Sequence, residues 1–272
     1  MKRDQIKNIQ AYERSLELRK IGLIDKQIIP RIVKEYSILE GTIYNWLKYD
    51  KSPFGKRKIQ NKPELFYVLG SLLGDGCAYY WKRGDKYMVL IVGEKELIEK
   101  YSDKLATCTG RRIKGYAYRD RNAWYLKTWN VELFRLLKKI REDQKFLLDL
   151  VKNGDYHENI LQFIEGYFDA EGCVKIIKES IRKTPKICLD ICSTDYPALE
   201  IIRKALDKHL SIEARYSIQK AHIGKDGSPR QKTYHLRIYK KEFIRRFFDN
   251  INTIKLKPEK VKYVDNWLNN GK

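Results

Sequence analysis

The hydrophobic and polar positions that follow residue 62 repeat one series of elements. An apolar segment at 63–76 precedes a strand-like segment at 77–92 with a polar centre, which predicts a helix followed by a β-hairpin. The segments 160–172 and 173–192 have the same pattern. An amphipathic helix, a second hairpin and two helices follow in each series, at 94–107, 115–129, 131–140 and 142–153, and at 195–210, 214–239, 240–251 and 257–268. The order α-β-β-α-β-β-α-α therefore occurs twice.

This repeat predicts an α+β fold. We expect two pseudo-symmetric αββαββα units, at 63–153 and 154–272, that together form a saddle of antiparallel sheets. Residues 1–50 are expected to form short helices, and therefore a small all-α N-terminal domain. The basic stretch 51–62 contains Pro and Gly and lacks apolar periodicity, which is typical of a linker.

The segment RIVKEYSILEGTIYNWL at 31–47 resembles a helix-turn-helix of the resolvase and transposase type. Pro30 is expected to open the helix before the turn, and Ser37 stands where a turn glycine is common. The expected core positions are Ile32, Val33, Ile38, Ile43 and Trp46. The expected contacts with the DNA groove are Thr42, Tyr44 and Asn45. The alternative is a small helical domain that serves packing alone.

Charge narrows the class of partner. The chain has 56 Lys and Arg against 35 Asp and Glu, a formal net charge of +21. Such an excess opposes folding by self-repulsion, and a polyanionic partner explains it, with nucleic acid favoured over an anionic membrane surface. The alternative is a lysine-rich bias of the kind found in heat-adapted organisms. No apolar run approaches the roughly 20 residues of a membrane span, so no membrane partner is expected.

The five cysteines form no CxxC pair, which argues against zinc and suits reduced thiols. The four histidines are scattered and form no metal-binding motif. The first 20 residues have no targeting signal, so we expect a cytoplasmic, prokaryotic protein, or an organellar one if an organelle encodes it.

Two segments combine small residues with a terminal acid. Gly70 and Gly74 lie four positions apart, as do Gly166 and Ala170, and this spacing puts each pair on one helix face. Glycine within a helix costs about 1 kcal/mol relative to alanine, which close pairing of the two helices would offset. The glycines that end the segments, Gly76 and Gly172, are expected to adopt the left-handed conformation of a helix C-terminus.

Asp75 and Glu171 precede these final glycines. At a helix C-terminus the dipole disfavours negative charge by roughly 0.3–1 kcal/mol, and helix pairing would bring the two carboxylates together. A divalent cation resolves this conflict, because hard oxygen ligands bind Mg²⁺. The alternative, acids placed arbitrarily at exposed helix ends, is less favoured because the feature occurs in both units.

VLGSLLGDG at 68–76 and IEGYFDAEG at 164–172 resemble the two signature motifs of LAGLIDADG homing endonucleases. The first motif departs from the family pattern with Leu73 and Gly74 before the acid, and the resemblance covers about residues 63–272. It implies a monomer without an obligate protein partner that cuts both strands of a long, asymmetric double-stranded DNA site and leaves short 3′ overhangs.

The same resemblance implies metal-assisted phosphodiester hydrolysis. It makes Asp75 and Glu171 the ligands of Mg²⁺, or of Mn²⁺ or Ca²⁺ at the same sites, with Gly74 and Ala170 in the metal site. Each acid would mainly serve one strand. Lys257 resembles the family's central basic residue, and Arg141 is its match in the first unit. A solvated basic helix end is the alternative for both.

Family members often place a polar residue at the edge of each sheet, before the next helix. Glu94 and Asp195 align there, although both could instead be N-terminal residues of helices.

One face of each alternating hairpin should be free to contact DNA. Candidate contacts in the first unit are Tyr80, Lys82, Arg83, Lys86, Arg119, Arg121 and Lys127. Those in the second unit are Lys175, Lys178, Arg182, Lys186, Arg215, Gln219, Lys232 and Arg237. Each is either a base contact, a phosphate contact or a solvated side chain.

Three functions fit these features. The first is a site-specific homing endonuclease, intron-encoded or free-standing. The second is an RNA maturase that helps a host intron splice, and the third is a DNA-binding regulator that does not cut. Two intact acids favour the endonuclease, because a regulator would be free to lose them.

Overall fold

The computed structural model describes residues 5–49, 51, 53, 59–81, 86–152, 154–177, 186–224 and 226–269. It combines helices with antiparallel sheets, so the predicted mixed α+β class is confirmed. No helix in the described ranges has the length and apolar character needed to cross a membrane.

The N-terminal residues form three helices, α1 (Gln5–Lys20), α2 (Asp25–Tyr36) and α3 (Glu40–Tyr49). These helices bury a small core of their own, which includes Ile32, Ile43 and Trp46. This small core is separate from the main core of the protein. Ser37 ends α2 in the left-handed conformation, with φ 46° and ψ 46°. The α2–turn–α3 arrangement is therefore compatible with a helix-turn-helix.

Pro30 does not open a helix as expected. It lies inside α2, which begins at Asp25. A proline there lacks the N–H that would bond to the carbonyl of Lys26. Lys26 and Pro30 are both exposed, so water can donate a hydrogen bond to that carbonyl. The helix therefore continues through the proline.

The first unit follows the predicted order. It contains α4 (Pro63–Asp75), β1 (Gly76–Trp81), β2 (Lys86–Gly93), α5 (Lys95–Thr109), β3 (Tyr116–Ala117), β4 (Trp124–Thr128), α6 (Val131–Glu142) and α7 (Gln144–Lys152). Its four strands form an antiparallel sheet in the order β1-β2-β4-β3.

The second unit contains α8 (Tyr156–Glu171), β5 (Gly172–Ile177), β6 (Lys186–Ser193), α9 (Tyr196–Leu210), β7 (Arg215–Gln219), β8 (His222–Ile223), β9 (Pro229–Arg230), β10 (Thr233–Ile238), α10 (Lys241–Asn250) and α11 (Pro258–Asn269). Its sheet has the order β5-β6-β10-β7, which matches that of the first unit strand for strand. The small β8–β9 ribbon lies between β7 and β10, within the predicted second hairpin.

One face of each sheet packs against the helices. In β2 and β6 the core-facing residues include Val89, Ile91, Leu189 and Ile191, which are buried in a single core shared by both units. We call the opposite side of each sheet its free face. Because side chains alternate along a strand, the free faces hold the intervening residues.

Candidate metal centre and nucleic-acid interface

The helices α4 and α8 pack closely through their small residues. A Cβ added at Gly166 would collide with the carbonyl oxygen of Tyr67 and lie 2.8 Å from its carbonyl carbon. One added at Gly70 would collide with the carbonyl oxygen of Phe163. The partners are backbone atoms, which cannot move aside as a side chain can. Glycine is therefore required at both positions for the helices to pair.

The same face continues to the carboxylate end of the pair. A Cβ added at Gly74 would lie 2.6 Å from the Cβ of Ala170 and 2.9 Å from the Cγ of Glu171. The Glu171 side chain therefore lies against Gly74. The spacing of small residues thus brings the final turns of α4 and α8 together.

Gly76 and Gly172 are not in the predicted left-handed conformation. Their φ and ψ angles are −101° and 162°, and −83° and 157°, which are extended values. Each glycine ends a helix and is the first residue of a strand, so the chain continues without a left-handed turn. Glycine is needed for a different reason: a Cβ at Gly76 would lie 2.6 Å from the Leu72 carbonyl oxygen, and one at Gly172 would collide with that of Phe168.

Asp75 and Glu171 occupy an environment that disfavours their charge. Burial raises the pKa of Glu171 to about 7, and the negative charge of Asp75 adds to the increase. Burial also raises the pKa of Asp75, and the charge of Glu94 acts in the same direction. The structure therefore brings the two acids within electrostatic reach of each other, and a cation between them would remove the conflict.

Lys255 is the basic residue that acts on both acids. Its positive charge lowers the pKa of Asp75 and of Glu171, against the larger effect of burial. Lys257, the residue expected in this role, instead donates a hydrogen bond of 2.6 Å to Glu94 and lies 3.6 Å from Glu96. Lys255 was missed because it lies in a segment between helices that has no periodicity.

Arg141, near the end of α6, extends its side chain to the C-terminal end of α4. Its Nη2 donates hydrogen bonds to the carbonyl oxygens of Gly76 (2.7 Å) and Leu72 (3.3 Å). It therefore neutralises the helix C-terminus next to Asp75. Arg141 stands three residues before α7, and Lys255 stands three residues before α11, so Lys255 rather than Lys257 is its counterpart.

The structure distinguishes the two interpretations of Glu94 and Asp195. The Asp195 side chain accepts a hydrogen bond from the backbone N–H of Ala198 and caps α9. Glu94 stands at the start of α5 but makes no such cap. Its carboxylate instead pairs with Lys257, and its charge acts on Asp75.

A buried network behind the two acids was not anticipated. Asp169 is fully buried and accepts hydrogen bonds from Tyr67 (2.9 Å), Lys100 (2.8 Å) and Thr253 (2.6 Å). It thereby fixes the start of the segment that carries Lys255. The available signal was a pair of acids, Glu165 and Asp169, four residues apart and therefore on one face of α8.

The residues present fit a divalent cation whose coordination shell would be completed in part by the bound substrate. No cluster of three or more His, Cys, Asp or Glu side chains suited to a metal occurs within the described ranges. Asp75 and Glu171 supply two hard oxygen donors whose charge the protein disfavours, while Gly74 and Ala170 bring the backbone of both helices close. The remaining ligands would be backbone carbonyls, water and phosphate oxygens, which Mg²⁺ accepts.

The free face of the first sheet is aromatic and basic. Lys86 pairs with Trp81 across β1 and β2, and Lys127 lies opposite Leu90. Tyr80, predicted on this face, points to the helical side instead, where its ring lies 5.2 Å from that of Tyr87. The alternation places Tyr79 and Trp81 on the free face. Lys82 and Arg83 lie outside the described residues.

The free face of the second sheet is strongly polar. The strand registers place five of the predicted contacts on it: Lys175, Lys186, Arg215, Gln219 and Arg237. Arg215 and Arg237 lie directly opposite each other, and each has an acidic partner, Glu213 at 3.7 Å and Asp190 at 3.2 Å. Lys178 and Arg182 lie outside the described residues.

The other predicted contacts lie in loops or in the N-terminal helices. Arg119 and Arg121 are exposed between β3 and β4, and Lys232 is exposed before β10. In α3, Tyr44 is exposed and accepts a 2.6 Å hydrogen bond from Lys48, while Thr42 and Asn45 are half-buried. These residues are accessible to a ligand but are not brought together with the acids by any described contact.

Comparisons with known proteins match part of this chain to a described domain and most of it to another protein. A family model described as the LAGLIDADG-like domain matches residues 158–252. The uncharacterized protein MJ0398 of Methanocaldococcus jannaschii is 26% identical over 278 residues, which cover 96% of this chain and 94% of that protein.

Two solved structures are also similar. The homing endonuclease I-DmoI, in complex with DNA and Ca, is 18% identical with a TM-score of 0.47, over 74% of this chain and 96% of that chain. The N-terminal LAGLIDADG domain of DUF199/WhiA is 14% identical with a TM-score of 0.45, over 74% of this chain and 86% of that chain. At these identities the likeness concerns the fold alone. The family match and the helix–strand order together show that the chain contains a LAGLIDADG-like domain at residues 158–252.

Proposed function

We propose that this chain is a Mg²⁺-dependent, site-specific endonuclease that cuts both strands of double-stranded DNA. The observation that carries the proposal is the pairing of Asp75 and Glu171 at the ends of two packed helices, where burial raises the pKa of both acids. In their charged form such acids destabilise the folded protein, and a bound divalent cation would stabilise that charge.

The two sheets supply the surface for the duplex. Each acid directly precedes the first strand of a sheet whose free face carries Lys or Arg. Phosphates bound along these faces would lie near the acids. Arg215 and Arg237 lie opposite each other on the second of these faces, where their remaining N–H donors would contact phosphates.

Each part of the centre has a proposed task. A divalent cation bound there supplies charge neutralisation and polarises water. Asp75 and Glu171 hold it, and each mainly serves one strand. Lys255 stabilises negative charge that develops on the scissile phosphate, and Arg141 keeps the end of α4 in place through Gly76.

The N-terminal helices extend the footprint in this proposal. Ser37 forms the turn between α2 and α3, and the exposed Tyr44 of α3 would contact the DNA beside the central site. The protein would act as a monomer, since the two units already supply one acid for each strand.

Selection by cleavage tests the proposal with no target sequence chosen in advance. A library of random duplexes is incubated with the protein and Mg²⁺, and the cut ends are captured and sequenced. We expect one family of long, asymmetric sites with short 3′ overhangs. The Asp75→Asn, Glu171→Gln double variant should yield none of these ends. Cleavage that persists in the double variant would overturn the assignment of the site, and sequence-specific binding without cleavage would indicate a regulator.

A further inference from the structure

The free face of the second sheet has a buried acid at its centre. Asp190 is only 1% exposed, yet it lies on the side of β6 that faces away from the core. Its carboxylate forms an ion pair with Lys175, lies 3.1 Å from Nδ1 of His235, and accepts a 3.2 Å hydrogen bond from Nε of Arg237. Both oxygens therefore have partners, and three basic side chains converge on one acid.

The network extends to one further polar residue. His235 Nε2 lies 3.4 Å from the side-chain oxygen of Gln219 in β7. Four strands are thus linked across the face by side chains, from Lys175 in β5 through β6 and β10 to Gln219. Burial tends to raise the pKa of Asp190, but its bonds to Lys175 and His235 more than offset this and the pKa is lowered. The acid therefore stays ionised and keeps its partners.

Among its described residues, the first sheet has no such network at the equivalent place. Cys77 pairs with Leu90 as Cys173 pairs with Asp190, and Lys127 lies opposite Leu90 as Arg237 lies opposite Asp190. Leu90 is therefore the counterpart of Asp190. The sheet architecture forms with an aliphatic residue at this position, so the fold itself does not require an acid there.

An acid on a face that binds phosphates lowers the affinity for any DNA sequence, because it cancels positive charge. The acid instead fixes the positions of the basic side chains that it binds. A lysine or arginine that is held by a buried carboxylate cannot adjust freely to different base pairs, so only base pairs with acceptors in the right place satisfy its remaining donors. Fixed donors of this kind suit the N7 and O6 acceptors of guanine in the major groove.

We infer that Asp190 is a specificity-determining positioning residue, which holds Lys175, His235 and Arg237 in one arrangement so that the half-site under the second sheet is the more strictly read half. This inference rests on the proposed function as a site-specific DNA-binding enzyme. The first sheet, with exposed Tyr79 and Trp81 on the same free face as Leu90, would tolerate more sequences through apolar contacts.

Selection by binding tests the inference separately from cleavage. Random duplexes are selected by the full chain in Ca²⁺, and base preference is measured at each position. The variant Asp190→Leu copies the first sheet, Asp190→Asn keeps the shape, and Asp207→Asn on α9 makes the same change in net charge elsewhere. Lys127→Gln marks which half of the site lies under the first sheet.

In both Asp190 variants we expect the ratio of specific to non-specific affinity to fall by at least about tenfold, a loss typical of a mismatched base pair. Base preference should be lost only in the half that Lys127→Gln leaves unchanged, and non-specific affinity should hold or increase. An unchanged base profile overturns the inference. Equal losses in both halves, or unfolding of both variants, would make Asp190 purely structural and also overturn it. A wild-type protein that selects no sequence would instead refute the proposed function.

Discussion

At the scale of single residues, the two acids are placed where the surrounding protein opposes their charge. Asp75 and Glu171 are each partly withdrawn from water at a helix C-terminus, and Lys255 only partly compensates. Both acids could be found from the sequence because helix periodicity fixes their place. Lys255, Asp169 and Asp190 could not, because their roles depend on contacts between residues distant in the sequence, such as Asp169 with Thr253.

Stability without metal should depend on pH through Glu171. Its pKa in the folded protein is about 7, above the ordinary 4.5, so between these values the folded state binds more protons than the unfolded state. Stability is then lost as pH rises through this window. We therefore expect Glu171→Gln to gain stability relative to wild type as pH rises from 5 to 7, by on the order of 1 kcal/mol because the group is partly exposed.

Urea unfolding in EDTA at several pH values measures this effect. Glu242→Gln, a substitution of an exposed residue in α10, serves as the control and should show no such trend. A stability difference between Glu171→Gln and wild type that is the same at pH 5 and pH 7 would contradict the account.

Lys255 and Lys257 provide a matched pair. Lys255→Met removes the positive charge that acts on both acids, so we expect the single-turnover cleavage rate at pH 7 to fall by about 10²-fold. Part of the rate should return at higher pH, as the acids ionise. Lys257→Met should have a much smaller effect, because its contacts are with Glu94 and Glu96. The reverse order would restore Lys257 to the catalytic role.

At the scale of elements, the helix pair α4–α8 determines the geometry of the site. The order of elements was predictable because each amphipathic pattern reports which face is buried. The conformation of Gly76 and Gly172 was not, because an acid followed by glycine fits both a left-handed cap and a direct transition to a strand. The position of Pro30 within α2 was also missed, because exposure lets water satisfy the carbonyl that the proline leaves unpaired.

Glycine at the helix crossing is expected to be essential. Gly166→Ala forces a Cβ onto the backbone of Tyr67, and we expect a loss of at least about 1–3 kcal/mol in unfolding free energy. Gly41→Ala in α3 meets nothing within 4 Å and should be neutral or stabilising by about 0.5–1 kcal/mol. Chemical denaturation of both variants provides the comparison, and equal effects would mean that the helices do not pair through Gly166.

At the scale of the whole molecule, an excess of positive charge accompanies two chemically different free faces. The formal net charge of +21 predicted a polyanionic partner, and the strand registers place lysines and arginines on both free faces. The repeat in the sequence predicted two similar units. It could not show that one sheet has Leu90 at its centre and the other Asp190, because the pairing register is set by tertiary packing.

DNA binding should weaken steeply with salt, because bound phosphates release counterions. Lys86→Gln, on the free face of the first sheet opposite Trp81, should make the slope of log K against log salt shallower by about 1. Lys204→Gln, on α9 beside Glu200, should leave the slope unchanged. Titrations at several salt concentrations measure both, and equal slopes for the two variants would argue against contact between phosphates and this face.

The most direct test of the central claim uses a supercoiled plasmid that carries the selected site. With Mg²⁺ the wild-type protein should convert it to linear DNA, because each acid serves one strand. Asp75→Asn and Glu171→Gln, each tested alone, should produce mainly nicked circles, and the nicks should lie on opposite strands. If either variant still linearises the plasmid at the wild-type rate, or if both nick the same strand, the assignment of one acid to each strand is wrong.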